Sequence, residues 1–135
     1  MTAPPLPRHV LRARAMRTLN RRQESSLVLW QALAVALGKI IGEQGFESLF
    51  FRCVYQSEAA FPWLAAAAVP GARAIDHLGA ALATRDPAQA EQASLDLLNL
   101  FTDTLILLIG ELVTNRILLA AWGTLAVDEA PEPPQ

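Results

Sequence analysis

Apolar residues recur at intervals of three and four along the C-terminal part of the chain. From Leu98 to Trp122, seven of the eight positions in this series are apolar, and only Asn115 interrupts it. Such spacing predicts an α-helix, and apolar residues on the neighbouring faces predict that the helix is enclosed on several sides. We therefore expect a central apolar C-terminal helix. The pattern leaves open whether Gly110 splits this helix into two.

The rest of the chain also favours helices. Ala and Leu supply 46 of the 135 residues, whereas Val, Ile and Tyr supply only 14. Alternation with period two is absent, and prolines divide the interior into short segments. We predict an all-α fold, a compact bundle of about five helices, with helices near 25–41, 46–60, 63–68 and 72–84. The clearest start is at Asp86, Pro87 and Gln89, where a carboxylate can cap the helix that begins at Pro87.

Charge is distributed unevenly along the chain. The first 22 residues contain six arginines and no acidic residue, for a net charge of +6. The remainder contains five basic and thirteen acidic residues, for a net charge of -8. We divide the chain into a basic Pro/Arg-rich arm (1–22), a helical bundle domain (23–126) and a disordered Pro-rich tail (127–135). The arm is interpreted as a solvated extension, with docking on phosphates or on an acidic protein surface as alternatives. Its arginines are Arg8, Arg12, Arg14, Arg17, Arg21 and Arg22.

The chain contains more apolar residues than a small core needs. Hydrophobic residues make up 53% and charged residues 18%, which excludes disorder for the body of the chain. The longest apolar stretch covers ten residues, 104–113. It would reach about 15 Å, half of a ~30 Å hydrocarbon layer, so no membrane span is expected. The lone Cys53 and the lack of a secretory signal predict a cytoplasmic protein in which this thiol is buried and inert.

A short sequence occurs twice. Ile41-Gly42-Glu43 recurs as Ile109-Gly110-Glu111, 68 residues later, with similar flanking residues. This repetition predicts a pseudo-symmetric pair of helix-Gly-Glu-helix elements, unless it is a coincidence in a chain rich in Ala and Leu. Glu43 and Glu111 would form a paired carboxylate site only if both faced one cavity, and neither has a histidine at metal-ligand spacing.

Motifs that would indicate an enzyme are absent from the sequence. The segment Ile75-Asp76-His77-Leu78-Gly79 resembles the phosphorylatable helix of histidine-phosphotransfer domains, but Gly79-Ala80 stands where that motif has Lys-Gly. The missing lysine would help to hold the phosphoryl charge, so a partly exposed structural His77 is favoured. No nucleophile elbow, phosphate loop or metal-ligand pair is present. We therefore predict no enzymatic activity, no cofactor and no metal site.

One further resemblance involves most of the domain. The segment from Leu107 to Trp122, together with Gly45-Phe46 and Phe61-Pro62-Trp63, resembles a loosely defined group of small all-helical bacterial modules. The resemblance covers about residues 27–122 and implies a regulatory setting, because such segments occur alone or near signalling proteins. It provides no activity and no functional residue to carry over.

The apolar surplus without a spanning segment predicts a non-catalytic protein-interaction or regulatory module. We expect it to self-associate as a homo-oligomer through an apolar helical face. The candidate interaction residues are the six arginines of the arm with Trp63 and Trp122. The alternatives are a nucleic-acid-associated regulator that uses the arm, and a phosphotransfer-like module at His77.

Overall fold

The computed structural model describes residues 7–22, 24–66 and 73–127. Within these ranges the chain forms six helices and no strand, so the all-α prediction is confirmed. The helices are α1 (Arg8–Arg21), α2 (Leu27–Gln56), α3 (Pro62–Ala66), α4 (Ala74–Leu82), α5 (Pro87–Ile109) and α6 (Glu111–Val127). The first six residues, the end of the predicted short helix at 67–68 and the tail at 128–135 lie outside the described residues.

Helix α5 begins as its sequence predicts. The Asp86 carboxylate accepts a hydrogen bond from the backbone N–H of Gln89 at 3.0 Å. Pro87 occupies the first helical position, where a missing N–H leaves no hydrogen bond unmade. This helix start is therefore determined by local chemistry.

Two glycines bend the chain in the same unusual way. Gly42 has φ 84° and ψ 162°, and Gly110 has φ 87° and ψ 161°. Residues with a side chain rarely adopt this conformation. Gly42 interrupts α2, and the helix resumes directly at Glu43 rather than near residue 46 as the sequence suggests. Gly110 separates α5 from α6, which decides the question that the hydrophobic pattern leaves open.

The repeated motif marks a repeated structure. Helix α2 corresponds to the second half of the chain with an offset of 68 residues: its part before Gly42 matches α5 from residue 95 onward, Gly42 matches Gly110, and its part after Gly42 matches α6. Buried positions correspond as well: Leu29 with Leu97, Leu33 with Phe101, Leu37 with Leu105, Leu49 with Ile117, and Phe50 with Leu118. The predicted pseudo-symmetric pair of helix-Gly-Glu-helix elements is confirmed.

Two equivalent serines lie where the halves meet. Ser26 and Ser94 are 68 residues apart, both are fully buried, and their hydroxyl oxygens are 2.7 Å apart in a hydrogen bond. Equivalent residues touch each other only near a symmetry axis, so a pseudo-twofold axis passes between these two hydroxyls. The oxygen of Ser94 also accepts a hydrogen bond from Trp30 Nε1 at 3.2 Å.

The two halves are intertwined. Helix α1, which precedes the first repeat, packs on α6 of the second, and α4, which precedes the second repeat, packs on α2 of the first. Arg8 reaches Glu111 and the Thr18 hydroxyl donates to the carbonyl of Leu125, so α1 and α6 run in the same direction. Each half therefore completes its packing with a helix from the other half.

The basic N-terminal segment differs from the expected solvated arm. Residues 8–21 form α1, and Leu11, Ala15, Thr18 and Leu19 are buried against the bundle. Successive members of this set are four, three and one residues apart, which places them on one helical face. The arginines of the segment do not share a single face. This part of the segment belongs to the bundle because its apolar face has a partner in α6.

The core is aromatic at its centre. The ring of Trp30 makes edge-to-face contacts with Phe50 and Phe101 at centroid distances of 5.4 and 5.3 Å. Phe46 packs on Phe101 at 5.4 Å. These residues come from both repeats, so the core lies across the pseudo-twofold axis and joins the two halves.

Candidate interaction surface

Many large apolar side chains remain exposed in the folded chain. The exposed set is Val35, Ile40, Tyr55, Leu107, Leu108, Leu112, Val113 and Leu119. Large apolar side chains that cluster on a surface mark contact sites more often than scattered ones do. Half of this set lies between residues 107 and 113, on either side of Gly110.

We call the leucines that flank the second bend, Leu107, Leu108 and Leu112, the Gly110 corner. Their exposed fractions are 86%, 60% and 73%. The sequence pattern placed Leu108 and Leu112 on an enclosed helical face, and that expectation is wrong. The non-helical backbone of Gly110 breaks the helical phase, so positions counted across it do not share a face.

The first bend provides an internal comparison. The residues equivalent to Leu107, Leu108 and Leu112 are Lys39, Ile40 and Gln44, and all three are exposed. Because two of the three are polar, the shared backbone does not require leucine at these positions. The Gly110 corner therefore has three exposed apolar side chains where the Gly42 bend has one, Ile40.

A groove lies between α2 and α6. It has a volume of about 730 Å³, and its apolar lining includes four alanines and three larger exposed side chains: Ala32, Ala36, Ala120, Ala121, Val35, Ile40 and Val113. Two exposed cations lie along it, Lys39 from α2 and Arg116 from α6, and no carboxylate lines it. We call this feature the α2–α6 groove.

The six arginines of α1 and its C-terminal end do not form one uniform surface. Arg8 lies 3.6 Å from the carboxylate of Asp103 and 3.9 Å from that of Glu111. Arg12 donates a hydrogen bond to the side-chain oxygen of Asn99. Arg14, Arg17, Arg21 and Arg22 are exposed. Arg8 and Arg12 thus help to hold α1 on the bundle.

The two tryptophans predicted as interaction residues lie in different environments. Trp122 is 1% exposed, and its Nε1 donates to the carbonyl of Leu29 at 3.0 Å. It is a core residue and cannot contact a partner, which corrects its assignment. Trp63 is partly exposed, with the guanidinium of Arg85 over its ring at 5.2 Å.

Glu43 and Glu111 each have their own partner. Glu43 forms an ion pair with Arg73, which directly precedes α4, and Glu111 with Arg8 at the start of α1. The glutamates are equivalent at the 68-residue offset, although their arginine partners are not, and both glutamates are largely exposed. No cluster of three or more His, Cys, Asp or Glu that could hold a metal ion occurs among the described residues. Each glutamate thus lies beside the start of a helix that comes from the other half.

His77 is buried, not partly exposed as the sequence suggests. Its ring is 2% exposed, lies 5.3 Å from the ring of Phe51, and its Nε2 donates to the carbonyl of Leu64 at 2.7 Å. The other ring nitrogen, Nδ1, is buried with no described partner. A phosphoryl donor would have to displace α3 or α2 to reach this ring, so the geometry lends no support to phosphotransfer.

Cys53 is a buried thiol, as predicted. It is fully buried in α2, and burial raises the pKa of the thiol, although a weak hydrogen bond to Thr104 and the charge of Arg52 oppose the shift. A thiol whose pKa is raised is a poor nucleophile at neutral pH.

Two helices, α2 and α5, are long and apolar enough to cross a membrane by length and composition alone. Their most apolar windows are 22% and 39% buried in the fold. Core helices of soluble proteins meet the same criterion, so length and composition do not decide whether α2 or α5 crosses a membrane. The expected absence of a membrane span stays a prediction.

Comparisons of the chain with protein-family models, with curated proteins and with solved structures find no match.

Proposed function

We propose that this chain is a non-catalytic protein-interaction module that self-associates through the Gly110 corner. The observation that supports this proposal is the exposure of Leu107, Leu108 and Leu112 on one bend of the chain. A second copy is a suitable partner because the carboxylate beside the corner, Glu111, is already paired with Arg8 of its own chain. Two such corners can therefore face each other without bringing unpaired carboxylates together.

The size of the apolar surface fits association of moderate affinity. A twofold dimer would bury six leucines, three from each copy. At ~1.5–3 kcal/mol for each buried leucine, the gain is on the order of 10 kcal/mol before the entropic cost of association is subtracted. We expect reversible association at micromolar concentration.

Analytical ultracentrifugation of the full chain across a micromolar concentration series tests this proposal. The informative variant is Leu107→Lys with Leu112→Gln, which gives the Gly110 corner the residues of the Gly42 bend. The chain already tolerates these residues on the same backbone, so the variant should fold and sediment as a monomer. Tyr55→Gln removes another exposed apolar side chain and should leave association unchanged.

A wild-type chain that stays monomeric throughout the series would overturn the proposal. Association that survives in the double variant, with unchanged helical circular dichroism, would show that another surface mediates it.

A further inference from the structure

The α2–α6 groove is a second apolar surface, and its chemistry differs from that of the Gly110 corner. We propose that it binds an amphipathic helix of another protein whose apolar stripe is flanked by acidic residues. This inference concerns a different surface and does not rest on self-association.

The shape of the groove fits a helix. Four alanines line it, while the larger Val35, Ile40 and Val113 are exposed by 63%, 58% and 40%. Small residues allow a docked helix to approach closely, and the larger ones supply contact area on either side.

The charges of the groove favour an acidic partner. Lys39 and Arg116 form no ion pair with any carboxylate among the described residues, whereas Arg8 and Arg73 on neighbouring surfaces are each paired. A second copy that presented the same groove would bring cations against cations, which is unfavourable. Carboxylates beside the apolar stripe of a docked helix would pair with both cations.

The equivalent positions in the other half show that the fold does not require this groove. Each of the four alanines has a larger counterpart 68 residues away: Leu100 for Ala32, Thr104 for Ala36, Arg52 for Ala120 and Cys53 for Ala121. The counterparts of Lys39 and Arg116 are the uncharged Leu107 and Ser48. Of the two equivalent surfaces, only the one between α2 and α6 that carries Lys39 and Arg116 combines four alanines with these two cations.

The test uses two fluorescent helical peptides of about 18 residues, roughly 27 Å long. Both carry leucine at positions i, i+3, i+4 and i+7, and the flanking positions are Glu in one peptide and Lys in the other. Binding is followed by fluorescence anisotropy with the full chain that carries Leu107→Lys and Leu112→Gln, so that self-association does not interfere. We expect the Glu peptide to bind about tenfold or more tightly than the Lys peptide.

Two further variants sharpen the test. Lys39→Glu with Arg116→Glu should reverse the preference, so that the Lys peptide binds more tightly. Ala32→Leu introduces the residue that the other half carries at the equivalent position, and it should weaken the Glu peptide about tenfold. Helical circular dichroism of this variant, compared with wild type, shows whether it keeps the fold.

Equal binding of the two peptides, or no binding of either, would overturn the proposal. Vesicles of phosphatidylcholine and phosphatidylglycerol are tested in parallel. Binding to these vesicles that depends on Lys39 and Arg116, without binding of the Glu peptide, would identify an anionic membrane surface as the ligand instead. A monomeric wild-type chain would contradict self-association and leave this test intact.

Discussion

At the scale of single residues, the buried polar groups near the pseudo-twofold axis hold the two halves in register. The Ser26 backbone N–H lies 3.2 Å from the Glu91 carboxylate, and its hydroxyl contacts Ser94. Ser94 also accepts from the indole of Trp30. Buried polar groups are costly without partners, so this small network fixes one arrangement of the halves.

Removal of the Ser94 hydroxyl should destabilise the fold. Ser94→Ala leaves the indole N–H of the fully buried Trp30 without an acceptor, and we expect a loss of about 1–3 kcal/mol in unfolding free energy. Urea denaturation followed by circular dichroism measures this loss. Ser48→Ala, at an exposed position of α2, is the matched control and should change stability little. Equal stabilities of the two variants would show that the network contributes nothing.

The Cys53 thiol should resist modification while the chain is folded. Burial raises its pKa and blocks access, so a thiol-specific disulfide reagent at pH 8 should react only after denaturant is added. Because Cys53 is the only cysteine, the released chromophore reports this site alone. Immediate reaction of one thiol per chain under native conditions would contradict the buried position.

The same thiol links stability to pH. Its folded-state pKa is raised, so the folded chain holds this proton more tightly than the unfolded chain. The stabilisation is fully present below the unfolded pKa of about 8.5 and is lost as the pH rises through the folded value. Cys53→Ser, compared with wild type above and below this pH, isolates the effect.

At the scale of helices, the two glycine bends decide which faces are buried. Each bend changes the direction of the chain within one residue, so the apolar stripe before it and the stripe after it face different neighbours. Leu108 and Leu112 are four residues apart and would share a face in a continuous helix. The bend leaves both exposed beside the same corner.

Substitution of the bend glycines should be costly. Gly42→Ala and Gly110→Ala place a side chain at φ 84° and 87°, and we expect each to lose about 1–3 kcal/mol, although no atom obstructs the new Cβ. Gly38→Ala is the control. Gly38 lies inside α2 with a negative φ and open space, so this variant should be neutral or more stable by about 0.5–1 kcal/mol. Thermal melts of the three variants give the comparison.

At the scale of the whole molecule, the exchange of first helices makes the two halves interdependent. Helix α1 completes the packing of α6, and α4 completes that of α2. Neither half buries its apolar surface without the other. The chain should therefore unfold in one transition, with tryptophan fluorescence and helical circular dichroism changing together.

Damage to α1 should consequently destabilise the entire bundle. Leu19 is fully buried, and Leu19→Ala should lower the unfolding free energy by about 2–5 kcal/mol. Leu107→Ala makes the same chemical change at a position that is 86% exposed and should cost far less in the monomer. If Leu19→Ala left the unfolding midpoint unchanged, residues 8–21 would be the solvated arm that their charge suggests.

Local sequence signals determined much of the architecture. The apolar periodicity established an all-α fold, Asp86 and Pro87 established the start of α5, and the repeated Ile-Gly-Glu established the pair of bends. Each of these features depends on residues that are neighbours along the chain, so the sequence by itself contains the information.

Only the tertiary structure decided which surfaces remain open. Contacts between residues far apart in sequence bury His77 and Trp122 and hold α1 on the bundle. They also determine that Leu107, Leu108 and Leu112 stay exposed. The direction of the chain after each glycine bend, and the exchange of first helices between the halves, set those contacts. Helical periodicity alone cannot reveal them, because it identifies an apolar face but not the neighbour that covers it.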